Sequence, residues 1–418
     1  MELPRRVLVV GLARSGRAAA AALARRGVEV VAADRSASAD PGDLAALGVD
    51  VRLGSEDESL LDGTGLVVKS PGVPGESPLP AAARQRGIPV WSEVELGARL
   101  FPNPLAGVTG TNGKTTTTEL LGAVFRAAGW PVEVAGNVGR AVCELDGALS
   151  EDAWIVCELS SFQLEDIVTL RPRVAVLLNL EPDHLDRHGT MESYRDAKLR
   201  IFENQGDGDT AVVPRGFPPV PGGARRVEFR WDDPLPVEPL IPGQHNRENA
   251  AAAVAAARAA GVPDEAIAEG LRTFAGVPHR LETVAVTLGV KWINDSKATN
   301  TAAARRGIAA YADAPLRLIL GGSRKGESFD ELAAGLPASL RGVYLIGETA
   351  EELALSLARA GVAYEQCGDL ASAVAAAAAS ARAGDIVLLS PACASFDQFA
   401  NFEQRGEEFR RLVQKLHR

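Results

Sequence analysis

The chain has 418 residues, 46% hydrophobic and 23% charged, which excludes disorder and, by length, points to about two to four domains rather than one core. Lys and Arg number 44 against 54 Asp and Glu, a formal charge of −10, so no nucleic acid held by bulk electrostatics is expected as a partner, although a local anion pocket remains open. No apolar run approaches the roughly 20 residues that span a bilayer, and the N-terminus leads directly into Val7-Leu8-Val9-Val10, which points to a cytoplasmic protein with no membrane partner.

Short β-branched runs alternate with alanine-rich helical stretches, the pattern of parallel sheets covered by helices. The first block runs from Val7–Val10 through Glu29–Val31 and Leu66–Val68 to Pro89–Trp91, and a helical link from Ser92 to Leu100 ends at Phe101-Pro102-Asn103-Pro104, where proline stops the helix. A second block contains Leu105–Val108, Trp154–Cys157 and Val174–Leu178; 214–243, rich in Pro and Gly, reads as loops with short edge strands. Ala250 to Ala260 reads as a helix with Asn249 in its first turn. The third block begins near Val277 with strands at Arg317–Leu320, Val343–Ile346 and Ile386–Leu389, and a polar helix from about Asp397 closes the chain. Cys143, Cys157, Cys367 and Cys393 lack any C-x-x-C spacing and read as buried thiols of a reducing compartment.

Gly110-Thr111-Asn112-Gly113-Lys114-Thr115 lies between an apolar strand and the amphipathic run Glu119 to Ala128. Such a turn lets backbone N–H groups converge on phosphates, with Lys114 neutralising the outer ones and Thr115 able to ligate Mg²⁺. Val108 stands where the strict pattern would have its first glycine, but strand, turn, Lys-Thr and helix together point to ATP or GTP. Glu158 follows a strand, where ligands gather in open α/β sheets, and is a Mg²⁺ ligand candidate. The segment Asn179-Leu-Glu-Pro-Asp-His184-Leu-Asp follows another. Lys198, on the amphipathic stretch Tyr194 to Phe202, reads by periodicity as an ordinary solvated residue. Gly11-Leu-Ala-Arg-Ser-Gly16 is a weak dinucleotide fingerprint, since its spacing is not G-x-G-x-x-G.

Taken together, Gly110–Thr115, Glu158-Leu-Ser-Ser-Phe-Gln, Asp183-His-Leu-Asp-Arg-His, Lys198, Gly243-Gln-His-Asn-Arg-Glu-Asn, His279-Arg280, Asn294-Asp-Ser-Lys-Ala-Thr-Asn and Ser390-Pro-Ala-Cys-Ala-Ser-Phe-Asp-Gln-Phe resemble the Mur ligases of peptidoglycan synthesis. The match runs through all three blocks in order, and its last two motifs look most like the members that join D-glutamate to UDP-N-acetylmuramoyl-L-alanine. The resemblance implies an α/β chain of three domains: a Rossmann-like UDP-substrate domain over 1–92, a central P-loop ATPase-type parallel sheet over 93–277 and a Rossmann-like amino-acid domain over 278–418. A monomer is expected. It also implies ATP, two Mg²⁺ ions and a CO₂-derived carbamate on Lys198, with an acyl-phosphate intermediate.

By the same resemblance, Lys114, His184 and Lys198 are catalytic. Gly110, Thr111, Asn112, Gly113, Lys114, Thr115, Thr116, Asn246, Asn249, Arg280, Asp295 and Lys297 surround ATP. Thr115, Glu158, His184 and carbamylated Lys198 hold the metals. Ala13, Arg14 and Ser15 receive diphosphate, Asp34 and Arg35 lie near uracil, and Ser70, Gly72 and Asn137 are further sugar-nucleotide contacts. Thr299, Lys325 and Ser395 face D-glutamate, with Phe396 supplying a backbone group where leucine is common and Phe402 lining the site; Arg324 stands beside Lys325. A sibling that adds L-alanine, a folate polyglutamate ligase and a noncatalytic ATP-gated binding protein are the other readings. The Ser390–Ser395 segment favours glutamate over alanine, the fingerprint at Gly11 argues against a folate ligase, and Glu158, His184 and Lys198 together argue against a noncatalytic switch.

Overall fold

The computed structural model describes residues 3–416 except 138, 242 and 325–327, and at Asp186 the backbone alone. The expected α/β architecture is present as three sheets in chain order. The first has strands β1 (Arg6–Val10), β2 (Glu29–Asp34), β3 (Asp50–Leu53), β4 (Leu66–Lys69) and β5 (Val90–Ser92), ordered β3-β2-β1-β4-β5. The second has β6 (Leu105–Thr109), β7 (Val132–Gly136), β8 (Trp154–Glu158), β9 (Val174–Leu177), β10 (Thr210–Pro214) and β11 (Arg225–Phe229), ordered β11-β10-β9-β6-β8-β7. Both are parallel throughout. Their central strands β4, β6, β8 and β9 are buried along their whole length, which is why they read as continuous apolar runs rather than alternations.

The third sheet has β12 (Glu282–Thr287), β13 (Val290–Asn294), β14 (Leu316–Gly321), β15 (Leu340–Ile346), β16 (Glu365–Gly368) and β17 (Ile386–Leu389), ordered β12-β13-β17-β14-β15-β16. Here the expectation of parallel pairing fails at one edge, where β12 runs antiparallel to β13. Only Leu288 and Gly289 join them, both at positive φ (52° and 77°); a two-residue connection turns the chain back and is far too short for a parallel crossover.

Two helix starts also differ from expectation. The alanine-rich helix begins earlier, at Gln244, and runs to Ala260, so Asn249 lies in its second turn and is buried. The last helix begins at Phe402 rather than near Asp397, because the Asn401 side chain caps it by accepting from Gln404 N.

The chain forms two compact units, Met1–Phe274 with the first two sheets and Ala275–Arg418 with the third. Within the first unit the helix Glu93–Leu100 joins the sheets through two buried carboxylates. Glu95 accepts from the backbone N–H groups of Val168, Thr169 and Leu170 at 3.0, 3.0 and 2.8 Å, and Glu93 accepts from Cys143 N at 2.6 Å. No helix among the described residues is long and apolar enough to cross a membrane.

Candidate active site

In the second sheet β6 lies between β9 and β8, so the loops leaving these three strands open side by side at their carboxyl ends. The first is the glycine-rich turn, followed by the helix Lys114–Ala127. Gly113 caps this helix at φ +79°, and a Cβ there would come 2.1 Å from Asn249 Oδ1; glycine is required both by backbone and by space. The Lys114 ammonium folds back on its own loop, donating to Gly110 O at 3.0 Å and Thr111 O at 2.8 Å. Thr115 and Thr116 are buried in the first turn.

From the end of β9, Asn179 holds the turn open: its Oδ1 accepts from Thr111 N at 3.1 Å and Asn112 N at 2.8 Å. Glu181 accepts from Asn112 Nδ2 at 2.7 Å. Tyr194 OH meets Thr111 Oγ1 at 3.1 Å.

Glu158 ends β8 and is buried. Its Oε1 accepts from Asn137 Nδ2 at 3.0 Å, while Oε2 is buried without a hydrogen-bond partner. A buried carboxylate oxygen with spare lone pairs is costly unless a cation takes it up. Ser160 and Gln163 then form a capping box that starts the helix Ser161–Leu164. His184 is held at φ +53°, with its ring 5.0 Å from Phe162 and half exposed. His188 is the more enclosed of the two: it stacks on Phe162 at 5.2 Å and meets Ser161 Oγ at 2.9 Å.

Lys198 is not on a solvated face. It is 2% exposed, its Nζ donates to Gly110 O at 2.7 Å, and the ammonium lies 4.7 Å from the Tyr194 ring centre. Burial, with Lys114 nearby, pushes its pKa down to about 7. Lys114 and Lys198 thus meet on one carbonyl.

The first sheet repeats the arrangement, with β1 between β2 and β4. Gly11 and Gly16 pack so closely that a Cβ on Gly16 would fall 1.8 Å from Gly11 O. Ala13 caps the helix Arg14–Ala24. Asp34 spends both oxygens on order, accepting from Leu12 N at 2.7 Å and Ser36 N at 2.8 Å. Arg14 forks onto Glu144 at 2.8 and 3.1 Å. Ser15 is half-buried, Ser70 buried, and Arg35, Gly72 and Asn137 exposed.

In the second unit the carboxyl end of β13 carries Asn294 and Asp295. Asp295 accepts from Ser390 Oγ at 2.8 Å and Leu281 N at 3.3 Å, and burial raises its pKa to about 7 against the opposing pull of the Ser390 bond and of Arg280. His279 and Leu281, on either side of Arg280, are both at positive φ, an unusual backbone for non-glycine residues. Lys297 N donates to His279 O at 3.0 Å and Thr299 N to Lys297 O at 2.9 Å. Ser395 is buried, Phe396 is 72% exposed, and the Phe402 ring lies 6.4 Å from that of His279. Asn246, in the first unit, is half-buried. Lys325 lies outside the described residues; its neighbour Arg324 pairs with Glu352.

Three residues that organise these loops, two in the first unit and one in the second, carry no assignment from sequence reasoning. Asn179 opens the segment 179–186 and His188 closes the motif Asp183-His-Leu-Asp-Arg-His, neither with an individual role. Arg405 is a fully buried guanidinium in the last helix, donating to Ser296 Oγ, Ser296 O, Ala394 O and Cys393 O at 2.9 to 3.1 Å. A helical pattern with a charge on its inner face was the one available signal.

Residues 5–92 match the Mur ligase MurD-like N-terminal domain, 108–219 the Mur ligase middle domain and 279–393 the Mur ligase glutamate ligase domain. The chain is 42% identical to the UDP-N-acetylmuramoylalanine--D-glutamate ligase of Geobacillus kaustophilus, over 99% of this chain and 98% of that one. It is 45% identical to the enzyme of the same name from Anaeromyxobacter dehalogenans, over 98% and 97%. Among solved structures, the UDP-N-acetylmuramate-alanine ligase MurC of Thermotoga maritima shares the fold with a TM-score of 0.60 at 18% identity, over 98% of this chain and 99% of that one. With matching domains in order along the chain and relatives alike over nearly its whole length, the protein belongs to the Mur ligase family.

Proposed function

We propose that this protein is the ATP-dependent ligase that joins D-glutamate to UDP-N-acetylmuramoyl-L-alanine, acting as a cytoplasmic monomer in the synthesis of peptidoglycan precursors. The observation that carries the reading is the 42–45% identity, over nearly the full length, to enzymes named for that reaction. The reaction activates the L-alanyl carboxylate as an acyl phosphate, the amine of D-glutamate attacks its carbonyl carbon, and phosphate leaves.

The chain's residues suit the steps. The turn 110–115 offers backbone N–H groups and a helix start to the ATP phosphates. Lys114, which rests on its own loop carbonyls, can exchange them for phosphate oxygens and offset the charge that builds as two anions approach. Asn179 keeps the turn in register, and Asn249, assigned to the nucleotide, packs against Gly113. The buried, unpartnered Glu158 Oε2 fits a Mg²⁺ ion together with Thr115. Among the described residues no group of three or more His, Cys, Asp or Glu side chains is placed to hold a metal ion, so such an ion would complete its shell with phosphate oxygens and water. When bound, Mg²⁺ supplies charge neutralisation at the transferring phosphoryl group.

Lys198 we assign to carbamylation: its neutral amine adds to the carbon of CO₂ and releases a proton, turning a buried cation into an anionic oxygen donor. With His184 it would serve a second Mg²⁺. Arg280, Asp295, Lys297 and Asn246 are assigned to the nucleotide, and Ala13, Arg14, Ser15, Asp34, Arg35, Ser70, Gly72 and Asn137 to the sugar nucleotide. Thr299, Lys325, Ser395, Phe396 and Phe402 are assigned to the incoming amino acid. The test is phosphate release from ATP with UDP-N-acetylmuramoyl-L-alanine and a panel of amino acids. Release is expected with D-glutamate and not with L-alanine or L-glutamate; preference for an uncharged amino acid would overturn the reading.

A further inference from the structure

We propose that Asp166 is a positioning residue for the sugar-nucleotide end of the substrate, holding the loop 70–75 through Lys69 and Arg84; the inference rests on the function proposed above. β4 ends in Lys69, and the loop that follows, with Ser70 and Gly72, leads into the helix Pro78–Gln85. The Lys69 side chain is wholly buried. Its Nζ donates to Val73 O at 3.0 Å and lies 3.1 Å from Asp166 Oδ2, close enough for an ion pair but not aligned as a hydrogen bond. Arg84 forks in the same way from the other side, donating to Gly75 O at 2.6 Å and to Asp166 Oδ1 at 2.5 Å. One carboxylate therefore grips two cations, and each cation grips a carbonyl of the same loop.

The two ends of this linkage differ in chemistry. On the loop side, Val73 and Ser70 press on Gly11, where a Cβ would come 2.6 Å from Val73 Cγ2 and 2.9 Å from Ser70 Cβ. The loop's height thus sets the space above the turn 11–16. On the other side, Asp166 follows the helix Ser161–Leu164, two residues beyond its end and eight beyond Glu158, and its carbonyl accepts from Ser92 N at 2.9 Å. Glu165, the residue before, also faces Lys69 electrostatically and lies 3.4 Å from His188.

Stability alone gives no reason for this choice, since apolar residues fill buried space at less desolvation cost than an ion triad. What the triad supplies is a fixed distance from the sugar-nucleotide loop to the strand that ends in Glu158. The reacting L-alanyl carboxylate is the far end of a substrate whose near end the loop holds, so a small displacement of the loop misplaces the reacting atoms.

Arg84→Met and Asp166→Asn test the idea. The Arg84 side chain is 44% exposed, so its variant leaves the core intact even where Asp166→Asn folds poorly. Calorimetry with UDP-N-acetylmuramoyl-L-alanine in the absence of ATP is expected to show binding weakened about 10- to 100-fold, with kcat lowered as the reacting carboxylate is misplaced and the KM for ATP within about 3-fold of wild type. Arg84→Lys, which keeps the charge but not the fork, should recover part of the loss. Equal losses for ATP and the sugar nucleotide, or no loss for either, would overturn the proposal. A wild-type protein that does not bind the sugar nucleotide at all would instead remove the functional reading on which it rests.

Discussion

Lys198 shows how much a single side chain depends on what covers it. The helix Met191–Leu199 is polar overall, and its lysine reads as solvated until β6 and its turn are laid over it; then the ammonium has Gly110 O as its hydrogen-bond acceptor and the Tyr194 ring as its wall. A buried amine gives up its proton readily, which suits addition to CO₂. Lys198→Ala is expected to lower turnover by at least about 10²-fold, and formate or acetate should restore part of it by replacing the lost oxygen donors. Labelled bicarbonate should give a carbamate carbon signal in the wild type that disappears in the variant. Full activity without a carboxylate, or no such signal, would contradict the assignment.

The last helix, Phe402–Lys415, is fastened near its start by Arg405 in addition to its Asn401 cap. Arg405 bonds the Ser296 hydroxyl and three carbonyls, of Ser296, Cys393 and Ala394, so it fastens this helix to the loops that leave β13 and β17. Arg405→Met would remove four buried hydrogen bonds at this junction, although Ala394 O keeps its bond from Ser323 N, and is expected to cost about 3 kcal/mol or more, read as a lower urea midpoint for the unit Ala275–Arg418. Most elements visible in sequence have neighbours on both sides, although β5, read from Pro89–Trp91, is an edge strand, and β10 and β13, inside their sheets, were not read. β1, β6, β8, β9, β14 and β17 are buried throughout or nearly so and advertise themselves as apolar runs. β3, β7 and β16, with Asp50-Val-Arg-Leu53, Val132-Glu-Val-Ala-Gly136 and Glu365-Gln-Cys-Gly368, lie at sheet edges and are mostly half-buried or exposed. Their pairing comes from the neighbouring strand, not from their own composition. The site divides the same way: the turn 110–115 and Glu158 carry their chemistry in their own spacing, while Asn179, Asp166 and Arg405 acquire a role only from residues distant in sequence.

Among the described residues, each compact unit has one buried carboxyl group with a pKa pushed up to about 7, Glu93 in the first and Asp295 in the second. In both, burial is the largest cause. A folded-state pKa above the unfolded value means that the native state binds more protons across the interval, so the stability it contributes is complete below the unfolded pKa and is lost as pH rises through about 7. Each group should therefore remove about 1.4 kcal/mol per pH unit from its own unit between roughly pH 5 and 7. Urea unfolding of the ligand-free protein across this range should show the decline. Glu93→Gln should flatten it for the unit Met1–Phe274, and an unchanged slope would show that the carboxyl group is ionised throughout.

In both sheets of the first unit the strands point the same way, and the assigned loops leave from their carboxyl ends. The opposite edge carries turns of return, among them those at Gly27 before β2 and Gly129 before β7, where a side chain would meet nothing within 4 Å. The unit is thus two-faced for anyone who must attach something to it. A fluorophore, an affinity handle or a surface anchor placed at the amino-terminal edges would leave the reactive side open to solution, whereas the same graft near Gly11, Gly113 or Gly136, where a bare Cβ already meets an atom within 3 Å, would strike the machinery itself.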